Sequence, residues 1–452
     1  MHATDPATSG APGAPQAPTF REAFVYWLRL GMLSFGGPAG QIALMHEDLV
    51  VRKRWVSERR FLHALNYCMV LPGPEAQQLA TYIGWLLHRT WGGIAAGVLF
   101  VLPSLLLLIA LSWAYMAWGH LPAVAGVLYG IKPAVTALVV AAAVRIGSRV
   151  LTNGWLWGIA TAAFVAIFAL GLPFPLIVAA AGLLGHIGGR WRPGAFALGG
   201  GHSASASAHP AAVIDDATPT PAHARFTWAR LWRVLGVCVS LWALGIGGLT
   251  WLLGWEAVLT QMAWFFTKAA LLTFGGAYAV LPYVYQGAVE HFQWLTPTQM
   301  IDGLALGETT PGPLIMVVSY VGFVGGWSQA IFGPQALPQA GIVAAGVVTF
   351  FTFLPSFCFI FMGAPFIEST HGRLRFTAPL TGITAAVVGV IANLAVFFAY
   401  HVLWPQGWGG PFDGVAAVIG VAAAVALIRL QIGVIPVVLA CGAAGLAWQL
   451  SR

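Results

Sequence analysis

Ser34-Phe35-Gly36-Gly37 and Thr273-Phe274-Gly275-Gly276 are two copies of one short motif, 239 residues apart (275 − 36). Each copy is followed by Pro-Gly-Pro, at residues 72–74 and 311–313, and this second motif repeats at the same offset (312 − 73). Two unrelated motifs that keep a common spacing over this length indicate an internal repeat, which decides how the rest of the chain is interpreted.

The repeat continues toward the C-terminus with a longer offset. Leu-Pro-Ser at residues 102–104 recurs at residues 354–356, which is an offset of 252 residues (356 − 104). The difference of 13 residues (252 − 239) predicts an insertion in the second copy, between Ser328 and Gln339. The chain is therefore a duplicated unit.

The composition indicates a membrane protein. Of the 452 residues, 59% are hydrophobic and 8% are charged, whereas a soluble domain carries about 25% charged residues. Apolar runs near the ~20 residues needed to cross a bilayer recur along the chain, and helices satisfy their own backbone hydrogen bonds in lipid. We therefore expect an all-α polytopic fold in the lipid bilayer. The net charge of +7 lies mainly in loops, so no nucleic-acid partner is expected.

The sequence contains no recognisable enzyme or cofactor motif. No P-loop, HExxH, GxSxG or haem-attachment pattern is found, so we expect neither catalysis nor a bound cofactor or metal. The four cysteines are widely spaced and form no CxxC pair. We expect them to be small apolar core residues rather than zinc ligands or a disulfide framework.

Composition shifts divide the chain into five parts. They are a disordered tail (1–19), a first repeat (20–188), a low-complexity linker (189–228), an extra transmembrane helix (229–254) and a second repeat (255–452). Each repeat is predicted to contain two broken helices followed by four helices that cross the membrane fully. With the extra helix, this predicts about nine full spans plus about four re-entrant hairpins, or about 13 segments.

Loop charges predict that the two halves have opposite orientations. Residues 52–60 hold five Lys or Arg, and the equivalent residues 291–299 hold none. The pattern reverses at Arg373 and Arg375, which precede a span whose first-half equivalent follows the uncharged residues 119–122. By the positive-inside rule, residues 52–60 and the linker are cytoplasmic, and the halves form the inverted repeat typical of secondary transporters.

The breaks at Gly-Gly and Pro-Gly-Pro predict an anion site. A helix that stops and restarts exposes free backbone N–H groups and the positive end of its dipole, and glycine lets a ligand approach the backbone. Glycines that allow tight helix packing are the alternative. The predicted substrate-binding positions are Gly36, Gly37, Pro38, Gly73, Pro74, Gly275, Gly276, Gly312 and Pro313.

Two basic residues are further candidates for contact with an anion. Arg29 and Lys268 stand five residues before Ser34 and Thr273, at equivalent positions of the repeat. A charge inside an apolar segment costs at least about 2.5 kcal/mol, so it usually has a function or reaches to the membrane surface. Both interpretations of these residues remain open.

Two carboxylates beside Pro-Gly-Pro are candidates for proton coupling. Glu75 follows the first motif directly, and Glu308 stands three residues before the second. A buried carboxyl group that binds a proton could exchange it against a bound anion. The equal alternative for Glu75 is that it stabilises the restarting helix through the helix dipole. Secondary candidates for substrate contact are Asn66, Gln77 and Lys132.

Several longer stretches resemble the chromate ion transporter family in its long two-domain form. The resemblance covers the chain from about Phe20 onward, apart from the linker, and rests on residues 35–38, 41–46, 71–76, 100–104, 274–282 and 308–313. It implies a multi-pass carrier in the bacterial inner membrane that exports chromate in exchange for protons and confers chromate resistance. Some members of the family are linked to sulfate.

The residues themselves predict less than the resemblance does. They indicate a secondary transporter for a small anion, and they leave open a carrier for sulfate or another tetrahedral oxyanion, or an anion channel. Chromate and sulfate are dianions of similar shape, so backbone N–H groups alone distinguish them poorly. A homodimer is likewise left open.

Overall fold

The computed structural model describes residues 16–35, 37–196, 212–215, 218, 221–274, 276–370 and 377–451. Gly36, Gly275, Arg373 and Arg375 lie outside these residues, as do most of the tail and the Gly- and Ser-rich centre of the linker. The described part is helical throughout, apart from loops and one isolated β-bridge between Val56 and Ile214.

The first repeat and the extra segment form eight helices. They are α1 (Phe20–Leu33), α2 (Gly37–His46), α3 (Glu58–Cys68), α4 (Glu75–Trp118), α5 (Pro122–Val150), α6 (Gly154–Phe168), α7 (Phe174–Trp191) and the unpaired α8 (Trp228–Leu253). A π-helical turn, Glu47–Arg52, extends α2.

The second repeat forms eight more helices. They are α9 (Val258–Leu272), α10 (Ala277–Tyr285), α11 (Pro297–Thr309), α12 (Val317–Ser328), α13 (Leu337–Thr370), α14 (Thr377–Leu403), α15 (Gly414–Ile428) and α16 (Val434–Leu450). A π-helical turn, Gln286–His291, follows α10 at the position equivalent to the turn after α2. The order of elements in the first repeat is thus reproduced in the second, as the spacing of the motifs predicts.

Helix α4 is a sharp hairpin rather than one straight rod. Its backbone leaves the helical region at His88 and at Arg89, where φ is +57°. A methyl group on Gly84 would lie 2.5 Å from the carbonyl oxygen of Gly92, so residues 75–87 and 90–118 pack tightly against each other. In the second repeat, the predicted insertion forms the loop between α12 and α13.

The equivalent long helices α4 and α13 run antiparallel across the centre of the molecule. Gly93 faces the ring of Phe361, and Gly97 faces the ring of Phe357. Contacts nearer the C-terminus of α4 are thus made to residues nearer the N-terminus of α13. These glycines let the two helices approach closely, as small residues do in membrane bundles. These two equivalent helices of the repeats thus run in opposite directions where they cross.

The halves also exchange their last helices. In the first repeat, α5 packs on α16 of the second, where a side chain on Gly130 would meet the backbone nitrogen of Gly445 at 2.8 Å. The equivalent pair is α14 and α7, where a side chain on Gly382 would meet the carbonyl oxygen of Ala181 at 2.5 Å. Neither half therefore completes its own packing.

One expectation about the cysteines is wrong. Cys238 on α8 and Cys358 on α13 form a disulfide, with their Cα atoms 6.0 Å apart, while Cys68 and Cys441 are free and buried. The two bonded residues are 120 positions apart in the chain, and only the packing of α8 on α13 brings them together.

Part of the predicted linker is ordered against the first repeat. The backbone of Ile214 accepts a hydrogen bond from Ser57 and donates one to Trp55, both 3.0 Å long, and its side chain is buried. The amide of Phe226 donates to the hydroxyl of Ser369 at 3.2 Å. These contacts tie the segment between α7 and α8 to both halves.

Within the described residues, five helices are long and apolar enough to cross a membrane: α4, α5, α8, α13 and α14. Of the other helices predicted to be full spans, α6 and α15 have 15 residues, α16 has 17 and α7 has 18. At 1.5 Å per residue, 15 residues reach about 23 Å, less than the ~30 Å hydrocarbon core. The number of full spans therefore stays a prediction.

Candidate anion site at the helix breaks

Each Gly-Gly break meets the Pro-Gly-Pro break of the other half. The amide of Gly73 donates to the carbonyl oxygen of Thr273 at 2.7 Å, and the amide of Gly312 donates to that of Ser34 at 2.8 Å. Both donor and acceptor positions are related by the 239-residue offset, so the two junctions are one interaction made twice. The four breaks predicted from sequence are thus brought together in two pairs.

Glycine is required at both Pro-Gly-Pro tips. Gly73 has φ of +129° and Gly312 has φ of +101°, which residues with side chains rarely adopt. Space is also absent, because a Cβ on Gly73 would lie 2.5 Å from Oγ of Ser356, and one on Gly312 would lie 2.7 Å from Cβ of Ser104. Each tip therefore sits against the Leu-Pro-Ser motif of the opposite half.

The restarting helices have no side-chain cap at their N-termini. Neither Pro74 before α4 nor Gly276 before α10 accepts a hydrogen bond from the first turn through a side chain, and Pro313 provides none either. By contrast, Thr19 caps α1 and Ser57 caps α3. The first-turn N–H groups near the junctions are therefore left to a ligand or to water.

Open space lies beside the Gly-Gly breaks. A Cβ added at Gly37 or Gly276 would have no atom within 4 Å, although both residues have positive φ. The N-termini of α2 and α10 therefore face space that a small ligand can enter. Free N–H groups, the positive end of the helix dipole and open space are the features that an anion site at helix N-termini requires.

The junction between Ser34 and Gly312 carries an extra polar contact from a side chain. Nε2 of Gln41 donates to the carbonyl oxygen of Gly312 at 2.5 Å and to that of Ser34 at 3.2 Å. Val280 occupies the equivalent position in the second repeat. At the other junction, Nε2 of Gln78 donates to the carbonyl oxygen of Pro72 at 2.8 Å.

Ser104 is a candidate that the sequence analysis did not single out. Its side chain is fully buried next to Gly312, and its Oγ has no hydrogen-bond partner among the described residues. A buried hydroxyl group without a partner costs free energy, so it points to a missing ligand or water. The signal was present in the sequence, because Leu-Pro-Ser recurs at the 252-residue offset.

The two carboxylates lie in different surroundings. Glu75 is half-buried in the first turn of α4 and makes no ion pair among the described residues. Glu308 accepts a hydrogen bond from the hydroxyl of Tyr278, two residues after Gly276. Arg145 on α5 acts electrostatically on both Tyr278 and Glu308, which makes it a cation near this junction that sequence reasoning had used only for topology.

The two basic candidates do not contact the junctions. Arg29 is exposed, and Nζ of Lys268 lies 5.6 Å from the ring centroid of Trp264, one turn toward the start of α9. That direction leads away from Thr273, as expected for helical side chains, which point toward the N-terminus. A role for Arg29 or Lys268 in binding stays a prediction.

The secondary candidates are also directed elsewhere. Asn66 is exposed, and Nε2 of Gln77 donates to Oγ1 of Thr81 at 3.0 Å along its own helix. Nζ of Lys132 pairs with Oδ1 of the buried Asp302 at 3.6 Å. Lys132 is therefore held by a protein carboxylate that the sequence analysis had not considered.

Two buried carboxylates, Asp302 and Glu368, anchor the half-helices at related places. The hydroxyl of Tyr115 donates to Asp302 at 3.0 Å, which joins α11 to the end of α4. In the other half, Arg60 on α3 pairs with the buried Glu368 near the end of α13. Each pair fixes the outer end of a half-helix whose inner end forms a junction.

Known proteins share this sequence pattern. The chromate transporter family model matches residues 21–186 and 260–446. The chain is 31% identical to a chromate transport protein of Cupriavidus metallidurans over 87% of this chain and 86% of that one. It is 33% identical to a chromate transport protein of Pseudomonas aeruginosa over 88% of this chain and 84% of that one. It is 30% identical to a probable chromate transport protein of Synechococcus elongatus over 82% of each. No solved structure matches the chain.

Replacing Ser104 tests whether the junction binds the substrate. Because its Oγ has no protein partner, Ser104→Ala should leave the melting temperature in detergent unchanged or raise it. Loss of one hydrogen bond to a charged ligand, at about 1.5–3 kcal/mol, should weaken chromate binding by about 10- to 100-fold. Isothermal titration with chromate measures this effect.

Ser112 is the matched control, since it lies two turns further along α4 and also has a buried Oγ without a partner in the part of the chain that the structure describes. Ser112→Ala should bind chromate as the wild type does. Equal affinity in the wild type and both variants would remove Ser104 from the binding site.

Proposed function

Since the chain belongs to the chromate transporter family, we propose that it is a secondary transporter that exports chromate across the bacterial inner membrane in exchange for protons. The observation that carries this proposal is the pair of reciprocal junctions. They bring helix N-termini without side-chain caps from both halves together, beside open space at Gly37 and Gly276.

The chemistry of the junctions suits a small dianion. The N–H groups at the starts of α2, α10 and the 75–87 limb of α4 supply directed donors, and their dipoles supply positive potential without a full charge. Such a site binds an oxyanion without holding it by an ion pair. That property favours release, which a carrier needs in each cycle.

We further propose that the halves are inverted relative to the membrane. The antiparallel crossing of α4 and α13 supports this, because these helices are equivalent in the repeat and run in opposite directions. The basic residues 52–60 and the uncharged residues 291–299 agree with opposite sides of the membrane.

Single cysteines placed at Arg59 and Gln299 test the orientation. In intact cells whose outer membrane is permeable, a membrane-impermeant maleimide should label the cysteine at 299 and leave the one at 59 unlabelled until the cells are lysed. Labelling of both from the periplasm would rule out inversion.

We propose that Glu75 and Glu308 bind the protons that are exchanged for chromate. Each carboxyl group lies next to a tip, so a bound anion and an ionised carboxylate repel one another, whereas a protonated carboxyl group does not. Proton binding and chromate binding are then linked on the same tips. Tyr278 orients Glu308 by its hydrogen bond, and Arg145 lies within electrostatic range to balance its charge.

A carrier for sulfate or another tetrahedral oxyanion is the second candidate. The backbone donors at the junctions recognise charge and shape, and these are nearly the same in chromate and sulfate. The names of the relatives favour chromate, since three of them are described as chromate transport proteins.

Uptake of radiolabelled chromate into everted membrane vesicles tests the function. With an acidic lumen, the protein should accumulate chromate against its electrochemical potential, and a protonophore should abolish the accumulation. Excess sulfate should have little effect. Accumulation that sulfate suppresses would indicate a general oxyanion carrier, and flux that only equilibrates would indicate a channel.

The carboxyl variants separate coupling from binding in the same vesicles. Glu75→Gln and Glu308→Gln keep the side-chain shape but cannot exchange a proton, so pH-driven accumulation should fall at least about tenfold while chromate binding remains. Glu256→Gln, in the exposed loop between α8 and α9, serves as the control. Normal pH dependence in both variants would remove these residues from the mechanism.

A further inference from the structure

A deep groove runs between α8 and α4, and α13, to which α8 is joined by the disulfide, forms its floor. The groove has a volume of about 830 Å³. Along the second limb of α4 its lining extends from Arg89 to Leu105, which is about 24 Å at 1.5 Å per residue. Most of its walls are aliphatic and aromatic side chains, including Val98, Leu241 and Phe357.

One end of the groove is strongly basic. Arg89, Arg230, Arg233 and His223 all line it, and they come from three different segments of the chain. None of the three arginines forms an ion pair with any residue that the structure describes. The guanidinium of Arg230 donates only to backbone carbonyl oxygens, including that of Arg225 at 2.9 Å.

The basic end carries a positive potential that the protein does not neutralise. Burial lowers the pKa of His223, and the charges of Arg89 and Arg230 lower it further. His223 is held in place because its Nε2 contacts the carbonyl oxygen of Trp85 at 3.1 Å. The ordered part of the linker thus completes the basic end.

Exposed tryptophans surround this end. Trp91, Trp228 and Trp232 are 75%, 67% and 63% exposed, and they lie beside Arg89, Arg230 and Arg233 in the sequence. Tryptophan at such exposure is typical of the level of lipid headgroups. Beyond this level, α8 buries only Ile246 against the protein, so the groove opens along an apolar helix.

We propose that the groove binds an anionic phospholipid. Arg89, Arg230 and Arg233 hold its phosphate, and an acyl chain fills the space between α8 and α4, above α13. The charge complementarity favours this occupant, since basic pockets between membrane helices recognise anionic headgroups. The positive-inside rule explains why basic residues lie near the membrane surface. It does not explain why Arg89 of α4 faces the same groove as Arg230 and Arg233 of α8.

The lipid would reach the Leu-Pro-Ser motifs of both halves. Leu102 and Leu354 line the groove, and they stand two residues before Ser104 and Ser356, which pack against the junction glycines. An acyl chain in the groove therefore supports the backbone of the candidate anion site from behind. The binding of the lipid itself does not depend on the proposed transport of chromate.

Native mass spectrometry of the full chain in detergent tests this proposal, with phosphatidylglycerol as the probe and phosphatidylcholine of the same chains as the neutral comparison. The wild type should retain phosphatidylglycerol preferentially. The double variant Arg230→Gln/Arg233→Gln should lose this preference, with binding about tenfold weaker or more. Arg190→Gln/Arg192→Gln, with the same change in charge on exposed residues outside the groove, should bind as the wild type does.

A second variant tests the groove without altering charge. Leu241→Trp fills the space from the lipid-exposed face of α8, and it should reduce retention of both lipids while the protein remains monodisperse on size exclusion. Three results would overturn the proposal. They are equal retention by the wild type and the arginine variant, displacement of phosphatidylglycerol by millimolar chromate, and a dimer that occupies the groove and dissociates in Leu241→Trp.

Discussion

The fold depends on one backbone hydrogen bond, made twice. Gly73 donates to Thr273 and Gly312 donates to Ser34, and each bond ties a Pro-Gly-Pro tip of one half to a Gly-Gly tip of the other. In a membrane interior, an interrupted helix is stable only if its free polar groups find partners. The junctions satisfy part of this need and leave the rest, the first-turn N–H groups, for a ligand. The same constraint therefore holds the halves together and creates the candidate site.

The repeat is symmetric in backbone but not in side chains. Gln41 donates hydrogen bonds to both backbone segments of one junction, whereas Val280 occupies the equivalent position at the other. Glu75 likewise has Leu314 as its equivalent in the second repeat. The two buried ion pairs also differ, since Lys132 with Asp302 and Arg60 with Glu368 use different helices. The two junctions therefore share one backbone geometry but differ in the polar side chains around them.

Much of the architecture was predictable from the sequence, because the motifs mark the helix breaks and their spacing fixes the order of elements. The site was predictable only in its backbone. Two contacts join residues far apart in the chain: Ser104 with Gly312, and the disulfide between Cys238 and Cys358. They were not predictable, because an internal repeat does not indicate which element of one copy packs on which element of the other. Lys268 was singled out because a charge in an apolar helix is costly, yet the ring of Trp264 accommodates it without contact with the tips.

The exchange of terminal helices has a consequence for biosynthesis. Gly130 on α5 packs against Gly445 on α16, and the ribosome adds 315 residues (445 − 130) between them. At 5–20 residues per second, this takes about 15–60 s. During this interval the small-residue face of α5 has no native partner, so the first half enters the bilayer as an incomplete bundle. Helices α15 and α16, which are translated after this interval begins, pack on α5 and close the bundle.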